Sequence, residues 1–227
     1  MVVKSNWQYE KMTKQANSQR LRYDEGCLAA HSLNLIGDRW ALLVIRELMF
    51  TAKRFSLIRT GMPGITASVL TARLLQLGEA GVVVHDDRQG LYELTAAGKA
   101  ALPVLEALCH WAMCVPGHDP TRFISPSALM ISMGAMMRRD MDQSVEAAAG
   151  FDFTTEAFSM RLANQRVLTT AVRHPDAPFV LSGNGNQLAA AVYGPQPLAQ
   201  LAAAGVLEVR GDIALGQAFV DRFRLHP

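Results

Sequence analysis

The chain has 227 residues, half of them hydrophobic and 7% aromatic, with a net charge of +2. That length holds two small domains or one large one, and the apolar content excludes a disordered chain. No run of about 18 apolar residues occurs, and the polar N-terminus lacks the apolar stretch of a secretory signal, so a cytoplasmic protein without a membrane partner is expected.

Charge is distributed unevenly. Residues 1–118 carry 13 Lys/Arg and 10 Asp/Glu, whereas residues 119–227 carry 9 and 10 and contain no lysine. Within Leu48–Gly78 there are Lys53, Arg54, Arg59 and Arg73 and no acid. A local basic stripe suits phosphate even when the whole chain is nearly neutral. The three cysteines, Cys27, Cys109 and Cys114, do not make a disulfide framework. Cys109, His110 and Cys114 lack an evident fourth ligand, so no metal and no other cofactor is expected.

Residues 1–25 read as a polar arm. Leu28–Ile36 is a short apolar helix stopped by Gly37. Asp38 is placed to cap a helix over Arg39–Phe50. A turn at Thr51–Lys53 leads to a short helix, Phe55–Thr60, closed by Gly61, and Pro63-Gly64 punctuates. Thr66 then caps a helix over Ala67–Ala80, ended by Gly81. Val82–Val84 and Leu91–Leu94 are β-rich and flank the turn composition HDDRQG. Thr95 caps Ala96–Met113, with a bend or break expected at Pro103.

The proline-rich stretch 115–127 reads as a domain boundary. Beyond it, Ala128–Met141 is helical, with methionines at 130, 133, 136, 137 and 141. Strands are expected at Phe151–Thr154, Ala157–Leu162, Val167–Val172 and Pro178–Leu181. Two short helices follow, then a strand at Val206–Arg210 and a last helix capped by Asp212. The expected fold class is therefore α+β throughout: a winged helix-turn-helix over 26–114, a linker over 115–127 and an α+β domain over 128–227.

The helix Ala67–Ala80 is the candidate DNA reader. Leu70, Leu74 and Leu77 form one apolar stripe, and Ser68, Thr71, Ala72 and Gln76 fall on the other side. A recognition helix needs that asymmetry, with small polar side chains entering a groove about 12 Å wide. Thr66 lies where free N–H groups and the helix dipole favour phosphate. Arg73 has the length to reach phosphate or guanine, and Arg88 at the hairpin tip suits sugar-phosphate. Asp86 and Asp87 beside Arg88 oppose that contact. The DNA-binding candidates are Lys53, Arg54, Arg59, Thr66, Ser68, Thr71, Arg73 and Arg88. The plain alternative is an amphipathic surface helix.

These pieces carry a resemblance. GDRW with REL (37–48), RF (54–55), PGIT (63–66), LTARL (70–74) and YELT with Gly98 resemble the HxlR-type winged-helix transcriptional regulators in identity and order. The resemblance covers roughly residues 26–114. It implies a homodimer, joined partly through the helix after the wing, on double-stranded operator DNA with half-sites about one helical turn apart. Two features depart from the family pattern: the wing is short and acidic, and Leu28 replaces the proline after the first cysteine.

Cys27 falls where several family members place a redox or electrophile sensor, so a thiol-sensing regulator is one alternative. Asp24 and Glu25 are expected to raise its pKa unless Arg20 or Arg22 compensates. Cys109 and Cys114 read as buried packing residues on an apolar helix, and His31 and His110 as packing or hydrogen-bonded residues on apolar helices.

The second half is similar to a sterol-carrier-protein-like domain. The match is GxLxVxGD over 205–212 with the following helix, and FVLSGNGNQLAAAVYG before it. That resemblance implies an apolar tunnel. Met130, Met133, Met137, Phe158 and Tyr193 are the ligand candidates, with a plain core as the alternative. Arg161, Arg166 or Tyr193 would orient a polar head. SGNGN reads as a turn with a helix cap, and His174 as a loop residue. The expected function is a ligand-controlled transcriptional regulator and not an enzyme, because no nucleophile–base pair appears. The third reading is a carrier protein whose winged helix serves protein contacts.

Overall fold

The computed structural model describes residues 22–142 and 144–225. Most of the expected arm, with Arg20, lies outside them. By contact the described residues form two compact units, divided after Asp38.

In the first unit, α1 (Leu28–Ile36) starts at Cys27 and ends at Gly37. The Asn34 amide clasps the backbone of Tyr23. It accepts from Tyr23 N–H at 2.9 Å and donates to Tyr23 C=O at 3.0 Å.

The second unit opens with α2 (Ala41–Leu48). This helix begins two residues later than expected, after Trp40, and has no side-chain cap. β1 (Lys53–Arg54) occupies the end of the expected turn. α3 (Phe55–Thr60) and α4 (Ala67–Glu79) follow. Thr66 caps α4 by accepting from Val69 N–H. Gly81, at φ 69°, ends it in a left-handed conformation that favours glycine. β2 (Val83–Asp86) and β3 (Leu91–Leu94) form the hairpin. β3 is central in a three-stranded antiparallel sheet, order β1-β3-β2. The break near Pro103 is present. α5 (Ala96–Lys99) stops, and α6 (Leu102–Met113) restarts with Pro103 in its first turn, where a missing N–H costs nothing.

α7 (Pro126–Ala135) is capped by Ser125. Its end is a correction to the expected Ala128–Met141 helix. Met136 C=O accepts from Arg224 N–H, and Arg138 N–H donates to Arg222 C=O. These long-range bonds take the backbone out of the helix. The methionine stripe therefore stops, and Met137 pairs with Phe223 instead.

β4 (Ala147–Asp152), β5 (Ala157–Ala163), β6 (Arg166–Val172), β7 (Phe179–Ser182) and β8 (Glu208–Gly211) form a mixed sheet, order β6-β5-β4-β7-β8. Only the β4–β7 pairing is parallel. β4 begins four residues earlier than expected. Its alanines have poor β propensity, but a central position between two partners overrides that. α8 (Gly185–Tyr193), α9 (Leu198–Ala203) and α10 (Ile213–Val220) complete the half. Asn184 and Gln187 form a capping box on α8, and Asp212 caps α10.

The core of this half gathers α7, the sheet and α8–α10 around Phe151, Phe158, Phe179 and Phe219. Phe50, from the end of the α2 segment, packs against it edge-on to Phe158 at 5.8 Å. Such a pair adds about 1 kcal/mol beyond burial alone. The α+β class is as expected, and the two halves of residues 39–227 share packing. Among the described residues no helix is long and apolar enough to cross a membrane.

Candidate nucleic-acid interface

α4 presents two chemically different faces. Leu70, Leu74 and Leu77 are buried, and α4 packs on α2. Thr66, Ser68, Thr71 and Ala72 are exposed. Their hydroxyls are held locally. Thr66 and Ser68 share a 3.1 Å hydrogen bond, and Thr71 donates to Ala67 C=O at 3.0 Å. Each hydroxyl keeps acceptor capacity toward a base edge. Arg73 is half-buried and donates to Gln76 one turn on.

Arg54 and Arg59 are exposed, on β1 and α3. The Arg54 guanidinium lies beside the wing, 3.6 Å from where a Cβ on Gly90 would stand. Arg88 is exposed at the wing tip. The neighbouring acids have structural employment. Asp86 accepts from the N–H groups of Arg88 and Gln89 at 2.9 and 3.2 Å and so closes the turn. Asp87 lies 2.8 Å from His85 Nδ1, whose ring stacks on Tyr92.

Lys53 is a correction. Its side chain is fully buried, with Nζ 2.6 Å from Glu156, 3.4 Å from Glu47 and 3.0 Å from Ser127 Oγ. It cannot reach phosphate. Glu47 is buried in the same cluster, accepting from Arg46 Nε at 2.9 Å and Ser125 Oγ at 2.6 Å. A Cβ on Gly61 would collide with the Glu47 carboxylate, so a larger residue there would have to displace it from the cluster. The cluster joins α2 and β1 to α7 and the β4–β5 turn. Burial and the nearby Glu47 push the Glu156 carboxyl up, and Lys53 pulls it down, with burial the largest influence. The sequence offered one signal of this cluster. Glu47 sits three residues from Val44 on an otherwise apolar helix stripe, where a charge needs a partner. Nothing in the sequence pointed to Glu156, Ser125 or Ser127.

The carrier-like candidates also change place. Met130, Met133 and Phe158 are closed into the core. Met137 and Tyr193 are half-buried. Tyr193 shares a 2.7 Å hydrogen bond with Ser132, and burial raises its pKa. Arg161 and Arg166 are exposed on β5 and β6.

Cys27 is exposed at the start of α1. Its thiol is held below the ordinary value by the backbone N–H groups of Ala30 and Ala29. This corrects the expected upward push from Asp24 and Glu25, because helix N-terminal dipoles favour thiolate. Cys114 is exposed and not a packing residue, and His31 and His110 are likewise exposed, which removes the packing half of their expectation. Cys109 is half-buried, and burial raises its pKa.

Residues 35–118 match the HxlR-like helix-turn-helix family. An uncharacterized HTH-type transcriptional regulator of Methanothermobacter thermautotrophicus is 33% identical over 98 residues, 41% of this chain and 75% of that protein. The chain belongs to the HxlR-like helix-turn-helix family. This HxlR-like protein is accordingly a transcriptional regulator of the DNA-binding helix-turn-helix class.

Two solved structures are similar over parts of the HxlR-like chain. The quinone-bound YodB from B. subtilis is 32% identical over 39% of this chain and all of that one, with TM-score 0.36. UbiJ-SCP2, a ubiquinone synthesis protein, is 17% identical over 57% of this chain and 92% of that one, with TM-score 0.33.

Proposed function

We propose that this HxlR-like regulator acts in the cytoplasm and binds operator DNA as a homodimer, with α4 in the major groove. The observation that carries the reading is the split of α4 into a buried leucine stripe and an exposed face of Thr66, Ser68 and Thr71. Ser68 and Thr71 contact base edges, and Thr66 with the first N–H groups of α4 contacts phosphate. Arg54, Arg59, Arg73 and Arg88 supply further backbone contacts, with Arg54 and Arg88 both beside the turn of the wing. Val104, Leu108 and Trp111 leave an exposed apolar face on α6, which supports pairing of two copies there. The DNA-reading half spans 26–114, the second half spans 128–227, and a small apolar or aromatic molecule shifts the population of DNA-competent dimers.

The test is fluorescence anisotropy of the full chain on DNA from upstream of its own gene, across a salt series, with scrambled DNA as control. Preference for the native fragment that weakens with salt is the expected result. A folded dimer with no preference at any salt would remove the reading and favour protein contacts by the winged helix.

A second reading has its own support. The exposed, low-pKa thiol of Cys27 suits a redox or electrophile sensor. Oxidant-dependent DNA binding that disappears in Cys27→Ser would favour it over ligand control.

A further inference from the structure

A cavity of about 660 Å³ opens between α2 and α6 of the winged helix on one side and α7 and α8 of the second half on the other. Leu43, Leu105, Cys109 and Ile131 give it apolar walls, and Ser132 and Tyr193 supply hydroxyls. The sequence resemblance pointed instead to an apolar tunnel in the second half. There Met130, Met133 and Phe158 fill the space themselves. Among the described residues a cavity of about 660 Å³ therefore lies at the junction of the halves, and a second of about 550 Å³ lies on the second half between α8 and α10, outside the core around Met130, Met133 and Phe158.

The volume falls in the range of small-molecule sites, about 300–1,000 Å³. The wall chemistry sets the class of occupant. Arg46 is already paired with Glu47 at 2.7 Å and also donates to Gly61 C=O at 2.9 Å. Arg122 is paired with Asp119 at 3.2 Å. Beside Arg46 a carboxylate or sulfonate would bury its charge against a cation that Glu47 already compensates, which is costly, and the other basic side chains of the wall, Arg122 and His118, are exposed to solvent. The Ser132–Tyr193 pair is different. One hydroxyl donates to the other, and the second keeps its own proton for an acceptor.

We infer that this junctional cavity is an effector site for an uncharged, apolar or aromatic molecule carrying one carbonyl or ether acceptor, which Ser132 and Tyr193 orient. The inference rests on the ligand-controlled reading above and gives that reading a place and a chemistry. Its physical link to DNA is short. α2 lines the cavity and also carries Glu47, which meets Lys53 on β1, and Arg54 follows Lys53 beside the wing. An occupant that moves α2 against α7 acts on the strand that carries a DNA contact.

The test uses the full chain with two naphthalene fluorophores, the neutral ketone prodan and the anionic anilinonaphthalene sulfonate. Prodan is expected to saturate at one per chain, and the sulfonate to bind at least tenfold more weakly. Ala112→Phe, which projects bulk into the cavity from α6, is expected to abolish prodan binding. Tyr193→Phe is expected to weaken it about fivefold, the worth of one hydrogen bond. Leu215→Ala, an exposed apolar residue on α10 outside the cavity wall, is expected to change nothing.

Equal affinity for the two probes would overturn the chemical class. Prodan binding that survives Ala112→Phe would overturn the site. A change of dimer mass in Ala112→Phe together with lost probe binding would assign the cavity to a second copy of the chain and overturn the effector role. The DNA arm separates the two claims. If prodan binds as expected and operator affinity stays constant at saturation, the site stands and ligand control falls. If operator affinity responds equally in wild type and Ala112→Phe, control stands and this site falls.

Discussion

The Lys53 ammonium lies 2.6 Å from the Glu156 carboxylate, joining the first strand of the wing sheet to the β4–β5 turn of the second sheet. Both side chains are buried, and Glu47 and Ser127 complete the ammonium's partners. Removing one ion from such a cluster leaves uncompensated buried charge, a loss of about 3 kcal/mol. Lys53→Met and Glu156→Gln should each show this in urea denaturation, and the double variant should lose less than the sum. Single variants within experimental error of wild type would mean that the cluster is solvated and that the halves are not joined by it.

Arg54 should behave in the opposite way to its neighbour. It is exposed, so Arg54→Ala should leave the unfolding midpoint in place and lower operator affinity. The slope of log affinity against log salt should shrink by about one. Thr71→Glu should cost at least about tenfold by placing a negative charge on the groove face. If Arg54→Ala bound DNA as wild type does, the β1 side of the wing would not face the backbone.

Cys27 should alkylate before Cys109. Its thiol pKa is lowered by backbone N–H groups at the start of α1, whereas burial raises that of Cys109. The thiolate is the reacting species, so Cys27 labelling by iodoacetamide should rise with pH at lower values than Cys109 labelling. Site-resolved mass spectrometry after timed quenching reads the order. Reversal of that order would remove the physical basis for a Cys27 sensor.

Glu106 gives a pH prediction with a definite sign. Burial raises its carboxyl above 4.5, and His110 pulls only partly against this. A raised acid pKa means that the native state binds more protons than the unfolded one. Its contribution to stability is therefore fully present below pH 4.5 and is lost as pH rises through the folded value. Glu106→Gln removes that loss. Its stability relative to wild type should improve across this window and then level off, as read from denaturation midpoints at pH 4 to 7. A constant difference at every pH would mean that the carboxyl is solvated. Glu106 Oε1 stands 2.9 Å from the place of a Cβ on Gly134, so a larger residue there would shift the carboxylate.

Short-range chemistry made much of this protein legible in its sequence. The leucine spacing of α4, the caps at Thr66, Thr95 and Asp212, the break around Pro103 and the exposed Thr66–Ser68–Thr71 face follow from local rules, as does the order of elements in both halves. Local rules do not specify which distant residues meet. Lys53 reads as one of four cations in a basic stripe, and only the arrival of Glu156 and Ser127 turns it inward. The helix through Met141 is sound by pattern, but backbone bonds from Arg138 and to Met136 end it at Ala135. The junctional cavity likewise arises where α2 and α6 meet α7 and α8, because a cavity is a property of packed surfaces and no single segment encodes it.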